Sequence, residues 1–147
     1  MDDSEFFNTV VKRNYQESTW NPDDFRSLWN AIISMNTVPE YMALDQLGYA
    51  QVSRDQLAST ANQIRNQDQS LIDLKFCAEA LKHVRKIPPK QKQGSVTLNV
   101  TSTSNPVAVT STGVSSIARA TWTIGPHDLG DMAHRAFKTL SALPELS

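Results

Sequence analysis

Residues 53–89 read SRDQLASTANQIRNQDQSLIDLKFCAEALKHVRKIPP, a stretch with no Gly or Pro before its closing Pro88-Pro89. Its start, Ser53-Arg54-Asp55-Gln56, fits a capping box. In that motif the Ser hydroxyl accepts from the backbone of the third helical residue, and the Gln side chain reaches back to the N-cap. Leu57, Ala61, Ile64, Leu71, Leu74, Ala78 and Leu81 then recur at spacings near three and four. That period places them on one helical face. A continuous helix of about 33 residues would be about 50 Å long. The polar gap from Arg65 to Ser70 admits a second arrangement, two helices meeting there with Ser70 capping the second. In either form the apolar face is the spine of a bundle or the seam of an oligomer.

Upstream the chain also reads as helix. Phe6, Phe7, Val10 and Val11 make a short apolar stripe, with Ser4 as its N-cap. Asn21-Pro22-Asp23-Asp24 supplies an N-cap, a Pro at the first helical position and two acids facing the helix dipole. Phe25, Leu28, Trp29, Ile32 and Ile33 follow at helical spacing, predicting a helix that ends near Asn36. A short helix is expected from Pro39 to Leu47, stopped by Gly48.

Downstream the composition changes. Pro88-Pro89-Lys90-Gln91-Lys92-Gln93-Gly94 reads as a linker. Thirteen of the 29 residues in 95–123 are Ser or Thr, a bias that suits strands or a flexible arm better than a helix. Val96, Leu98 and Val100 alternate with Thr97, Asn99 and Thr101, the period of a strand. A turn at Ser104-Asn105-Pro106, a return strand through Val107, Val109 and Thr110, and a third strand from Ile117 to Ile124 complete the expected segment. Three strands with one thin apolar face need cover from the helices or from another copy. After Gly125-Pro126, Leu129, Met132, Ala133, Ala136, Phe137 and Leu140 form the face of a last helix that ends at Leu143-Pro144. The expected fold class is therefore α+β and mainly helical. Residues 1–87 form a helical body, 88–94 a linker, and 95–147 a β segment plus C-terminal helix packed with the body as one domain. A chain of 147 residues fits that size.

Charge is divided along the chain. No Asp or Glu lies between Glu79 and Asp128, a gap of 48 residues that contains Lys82, Arg85, Lys86, Lys90, Lys92 and Arg119. Residues 1–79 hold twelve carboxylates against six basic residues. The near-neutral total of −1 thus hides a polar split, which speaks of partners rather than of fold. The basic part meets a polyanion, or it meets the acidic part of another copy.

The chemistry-bearing residues offer less. Cys77 is the single cysteine, so no internal disulfide forms, and a reducing compartment suits the chain. His83 lies six residues on and on a different part of the helix surface, so it gives Cys77 no base. His127, Asp131 and His134 share a helical face with the spacing of a metal site. No fourth ligand accompanies them, and an Asp131–Arg135 pair on a solvated face explains the stripe more simply. No glycine-rich phosphate loop or nucleophile elbow is present. The expectation is a non-enzymatic protein with no cofactor, no metal and no small-molecule substrate. The acidic N-terminus lacks the apolar run of a signal peptide. No apolar run reaches the ~20 residues of a membrane span. The Asn99-Val100-Thr101 sequon is then a chance match, and the expected location is cytoplasmic, or the virion of a viral protein.

Lys82, Arg85 and Lys86 fall at i, i+3, i+4 on one helical face, and Lys90, Lys92 and Arg119 extend the cationic set. Such a set neutralises several phosphates without reading sequence. These six are the candidate nucleic-acid-binding residues; the competing reading is a solvated helix end whose cations suit the negative dipole terminus. In its helical body, Ser/Thr-rich extended segment, single Cys and balanced charge, the chain resembles coat or nucleocapsid subunits of simple RNA viruses. The likeness is one of composition and rests on no specific motif. It implies a homo-oligomeric subunit that contacts single-stranded RNA non-specifically, with head-to-tail contacts favoured by the opposite charges. The alternative function is an intracellular protein-interaction adaptor, such as a viral accessory protein, using the long helix and exposed strands.

Overall fold

The computed structural model describes residues 1–83, 98–110 and 113–147; for 98–110 and 113–120 it describes the backbone. The chain is mainly helical with a small antiparallel sheet, as expected. The first rod is α1 (Asp3–Phe6), a π turn (Phe7–Val11) and α2 (Lys12–Trp20), helical in backbone throughout. Its cap is Asp2, whose side chain accepts from Glu5 N–H, rather than Ser4. A tight turn leads to α3 (Phe25–Leu47). Asp24 is the N-cap here, accepting from Arg26 N–H, so Pro22 lies before the helix instead of at its first position.

The sequence suggests two helices where α3 is one. The helix runs through Asn36 and Pro39 to Gly48, which ends it in the left-handed region at φ 77°. Pro39 gives up a backbone donor and strains the preceding turn. Val38, Pro39, Met42 and Ala43 are nevertheless buried in the core. Burying a large apolar side chain is worth about 1.5–3 kcal/mol, so the packing of this segment outweighs the proline penalty of about 3 kcal/mol.

The stretch 53–87 resolves the other way. The capping box forms as read, with Ser53 and Gln56 reciprocally bonded, and opens α4 (Arg54–Arg65). The helix then stops, and α5 (Gln69–His83) starts after a short turn. The break is polar chemistry without Gly or Pro. Asp68 accepts from Ser70 N–H at 2.8 Å, capping α5. Ser70 Oγ shares a hydrogen bond with Thr139 Oγ1 at 2.8 Å, and Thr139 Oγ1 also donates to Asp68 at 3.4 Å. The two-helix arrangement is therefore the correct one, with Asp68 and not Ser70 as the cap.

The β segment is also simpler than expected. Leu98–Thr110 is one strand, β1, and Gly113–Ile124 is its antiparallel partner β2, paired from Leu98↔Ile124 to Thr110↔Gly113. Ser104-Asn105-Pro106 is not a turn; the strand passes through it with a register irregularity between Pro106 and Ala108. That is how a strand accommodates a residue with no N–H. A two-residue strand, β3 (His127–Asp128), completes the order β1-β2-β3. Helix α6 (Leu129–Ser141) follows, capped by Asp128, and a 3-10 turn (Pro144–Leu146) ends the described elements. The expected linker at 88–94 and the start of the first predicted strand lie outside the described residues.

Four layers of helix enclose one core: the first rod, α3, the α4–α5 pair, and α6. Phe7, Val11, Ile32, Met35, Leu71, Leu74, Leu81, Leu129, Met132 and Leu140 are all buried in it. Ring contacts fix the rod. Phe6 stacks on Tyr41 at 4.3 Å, and Tyr15 stacks on Phe137 at 4.0 Å. The root of the sheet joins the same core through Trp122 and Ile124, with Phe25 5.3 Å from Trp122. At about 3.3 Å per residue, β1 and β2 make a ribbon about 40 Å long that is rooted where α3 and α6 begin.

Candidate functional site

The cationic set is only partly located. Lys82 is exposed in the last turn of α5, beside exposed His83. Arg119 falls on β2 opposite Thr103. Arg85, Lys86, Lys90 and Lys92 lie outside the described residues, so the structure does not bring the six together or separate them. α5 carries Lys82 and His83 at its C-terminal end, where cations complement the helix dipole. His83 Nε2 also lies 3.4 Å from Glu79 Oε2.

The metal-like stripe on α6 is divided among other partners. His134 Nδ1 and the Tyr15 hydroxyl are hydrogen-bonded at 2.7 Å. Asp131 pairs with Arg135 at 3.3 Å, as its spacing predicted. The His127 ring lies against Phe76 at 5.8 Å. Among the described residues no three His, Cys, Asp or Glu are arranged to hold a metal ion. Cys77 is buried, and burial with Asp73 nearby pushes its thiol up to about 11. A thiol so raised is protonated near neutral pH and behaves as packing.

Two further features stand outside the candidate residues. The first is Arg65, 5% exposed between α3 and α4. Its Nη2 donates to the Asn36 carbonyl at 3.0 Å and lies 3.6 Å from Glu40 Oε1; its Nη1 donates to Asn62 Oδ1 at 3.3 Å. Lys75 Nζ donates to the same Asn62 oxygen at 2.8 Å. Burial lowers the Arg65 pKa, and the Glu40 carboxylate opposes that shift. Arg65 thus joins the end of α4 to the turn of α3 just before Pro39. Its long-range partners cannot be inferred from local spacing.

The second feature is apolar exposure. Ile72 and Phe76, 38% and 52% exposed, stand at i, i+4 on the outer face of α5. Their signal was present in the sequence, since they fall off the Leu71, Leu74, Ala78, Leu81 stripe. Trp20, at the end of α2, is 68% exposed. No helix among the described residues is long and apolar enough to cross a membrane.

Comparison of the chain with protein-family models, with curated proteins and with solved structures gives no match.

Proposed function

We propose that this protein is a non-enzymatic, self-assembling structural subunit of the coat or nucleocapsid kind, which contacts single-stranded nucleic acid without sequence preference. The observation that carries the reading is the 48-residue acid-free stretch with six cations, beside a body in which twelve carboxylates meet six basic residues. In the body Arg13 and Arg65 pair with Glu17 and Glu40, and Lys12 and Lys75 donate to the Asn8 and Asn62 side chains. Lys82, Arg85, Lys86, Lys90, Lys92 and Arg119 would meet phosphates, and abundant Ser and Thr hydroxyls would add hydrogen bonds to them. Phosphate contacts of this kind position a chain on nucleic acid and carry no base readout.

The test is a titration of labelled single-stranded RNA of mixed sequence at two salt concentrations. Six contacts on a single strand predict a slope of about −4 in log K against log salt, or roughly a 300-fold loss of affinity between about 50 and 200 mM. Absence of binding at the lower salt would remove the nucleic-acid half of the proposal.

A second reading, an interaction adaptor, draws on a different observation. Among the described residues β1 lies at one end of the sheet order and pairs with β2. An edge of that length accepts a strand from a partner. A discrete complex with a protein partner and no bound nucleic acid would favour it.

A further inference from the structure

The outer face of α5 has a symmetry that its sequence makes visible. Around Leu74 the order of residues is nearly self-complementary when reversed: Ile72 corresponds to Phe76, Asp73 to Lys75, and Gln69 to Glu79. The exposed members are Ile72 and Phe76 at the centre, Gln69 and Asp68 at the N-terminal end, and Glu79, Lys82 and His83 at the C-terminal end. Ile72 and Phe76 are one turn apart, about 6 Å along the axis. The α6 side of the patch is polar: Arg135 bonds Asp73 at 3.4 Å and Asp131 at 3.3 Å. An apolar centre with a polar rim is the anatomy of a contact surface.

From this arrangement we infer that α5 is an isologous subunit contact, in which a second copy of this chain lays its own α5 antiparallel across Ile72 and Phe76. A two-fold axis level with Leu74 seats Ile72 of each copy on Phe76 of the other. The same operation brings the Asp68 end of one helix to the Lys82–His83 end of its partner, where the charges are opposite. Gln69 then faces Glu79 of the partner. Antiparallel helices also oppose their dipoles favourably. A second copy is the occupant because one surface supplies both sides of the apolar pair and both signs of the charge. The patch is small beside a standard interface of about 800 Å² per partner. The isolated contact is therefore weak, and an assembly gains strength by repeating it. This inference rests on the assembly reading for its choice of partner and not on nucleic-acid binding.

The experiment is sedimentation velocity on the full chain from about 10 μM to about 1 mM, the range in which weak contacts of this size associate. Wild type is expected to move from monomer toward dimer. The double change Ile72→Ser with Phe76→Ser should raise the dissociation constant about tenfold or more, as the loss of central apolar anchors does. Circular dichroism checks that the fold is kept. Gln69→Glu should weaken the dimer by facing Glu79 of the partner, and Gln69→Arg should tighten it. Gln69 Nε2 also donates to Asp73 Oδ1 at 2.9 Å, so the urea midpoint of each Gln69 variant is measured beside its sedimentation to separate association from folding.

Wild type that stays monomeric throughout, or association that ignores the Ile72 and Phe76 changes, would overturn the contact. So would Gln69→Glu and Gln69→Arg moving association in the same direction. The absorbance ratio at about 260 and 280 nm, read on the same samples, keeps the two proposals apart. A responsive dimer with a protein-like ratio retains the α5 contact and removes the coating function. Nucleic-acid-bearing particles indifferent to the α5 variants do the reverse.

Discussion

In the helical body, several cations find partners in their own chain. Arg13 meets Glu17, Arg65 meets Glu40, and Arg135 bridges Asp73 and Asp131. In residues 80–127, six cations share a stretch that holds no carboxylate. The first of them, Lys82, is exposed at the end of α5. The two regions place charge at different levels of the argument. In the body it belongs to packing and stability. In the acid-free stretch, we propose, it serves binding. Substitutions in the first region should move stability and leave binding unchanged, and those in the second should do the opposite.

The largest effect on that division is expected at Arg65. Arg65→Ala leaves the Asn36 carbonyl without its donor and opens space between α3 and α4. Urea unfolding should show a loss of about 3 kcal/mol, with RNA affinity unchanged once the protein is folded. Arg65→Met keeps the stem and removes the buried charge, and should cost well under half as much. Equal losses for the two would mean that the polar junction, which both variants remove, governs the site rather than the packing volume, which Ala alone gives up.

Next comes Lys82→Glu with Arg85→Glu. RNA affinity should fall about tenfold or more and the salt slope should become shallower by about 1.4, two phosphate contacts' worth. The melting temperature should stay near that of wild type. A collapse of the fold would place these cations with the body's structural charges and erase the comparison.

Smaller effects test the break that makes α4 and α5 separate. Asp68→Ala removes the cap of α5 and should cost about 1 kcal/mol. Hydrogen bonds from Ser70 hold the Asp68 carboxyl below its ordinary pKa. A lowered folded pKa means that this contribution is complete above the unfolded value of about 3.9 and is lost as pH falls through the folded value. Asp68→Asn keeps an acceptor but does not titrate, so its acid unfolding limb should be flatter than wild type over that window. The smallest change is expected for Ser53→Ala, about 0.5 kcal/mol at the solvent-exposed capping box of α4.

Local signals were legible where local physics decides. The Ser53–Gln56 box, the Gly48 stop, the Asp131–Arg135 pair and the apolar face of α6 follow from spacing alone. Pro39 and Asp68 show where that reading fails. A proline marks a helix end by its missing donor, yet Pro39 sits inside α3 because its neighbours are buried. Asn66-Gln67-Asp68 contains no breaker, yet the helix ends there because Asp68 caps the next helix and Thr139 bonds to its side chain. That partner is 71 residues away. The strands were legible in type but not in bounds, because Pro106 reads as a turn and is absorbed as a register irregularity. For the candidate site, composition located the charge, while four of its six cations lie beyond the described residues.

The central claim is that the charge division serves assembly around nucleic acid. It is tested most directly by size-exclusion chromatography with light scattering on untagged protein, recording the 260/280 nm absorbance ratio before and after nuclease treatment. The account predicts large particles with a high ratio that falls when nuclease is added. A clean monomer or small oligomer with a protein-like ratio in both runs would contradict it.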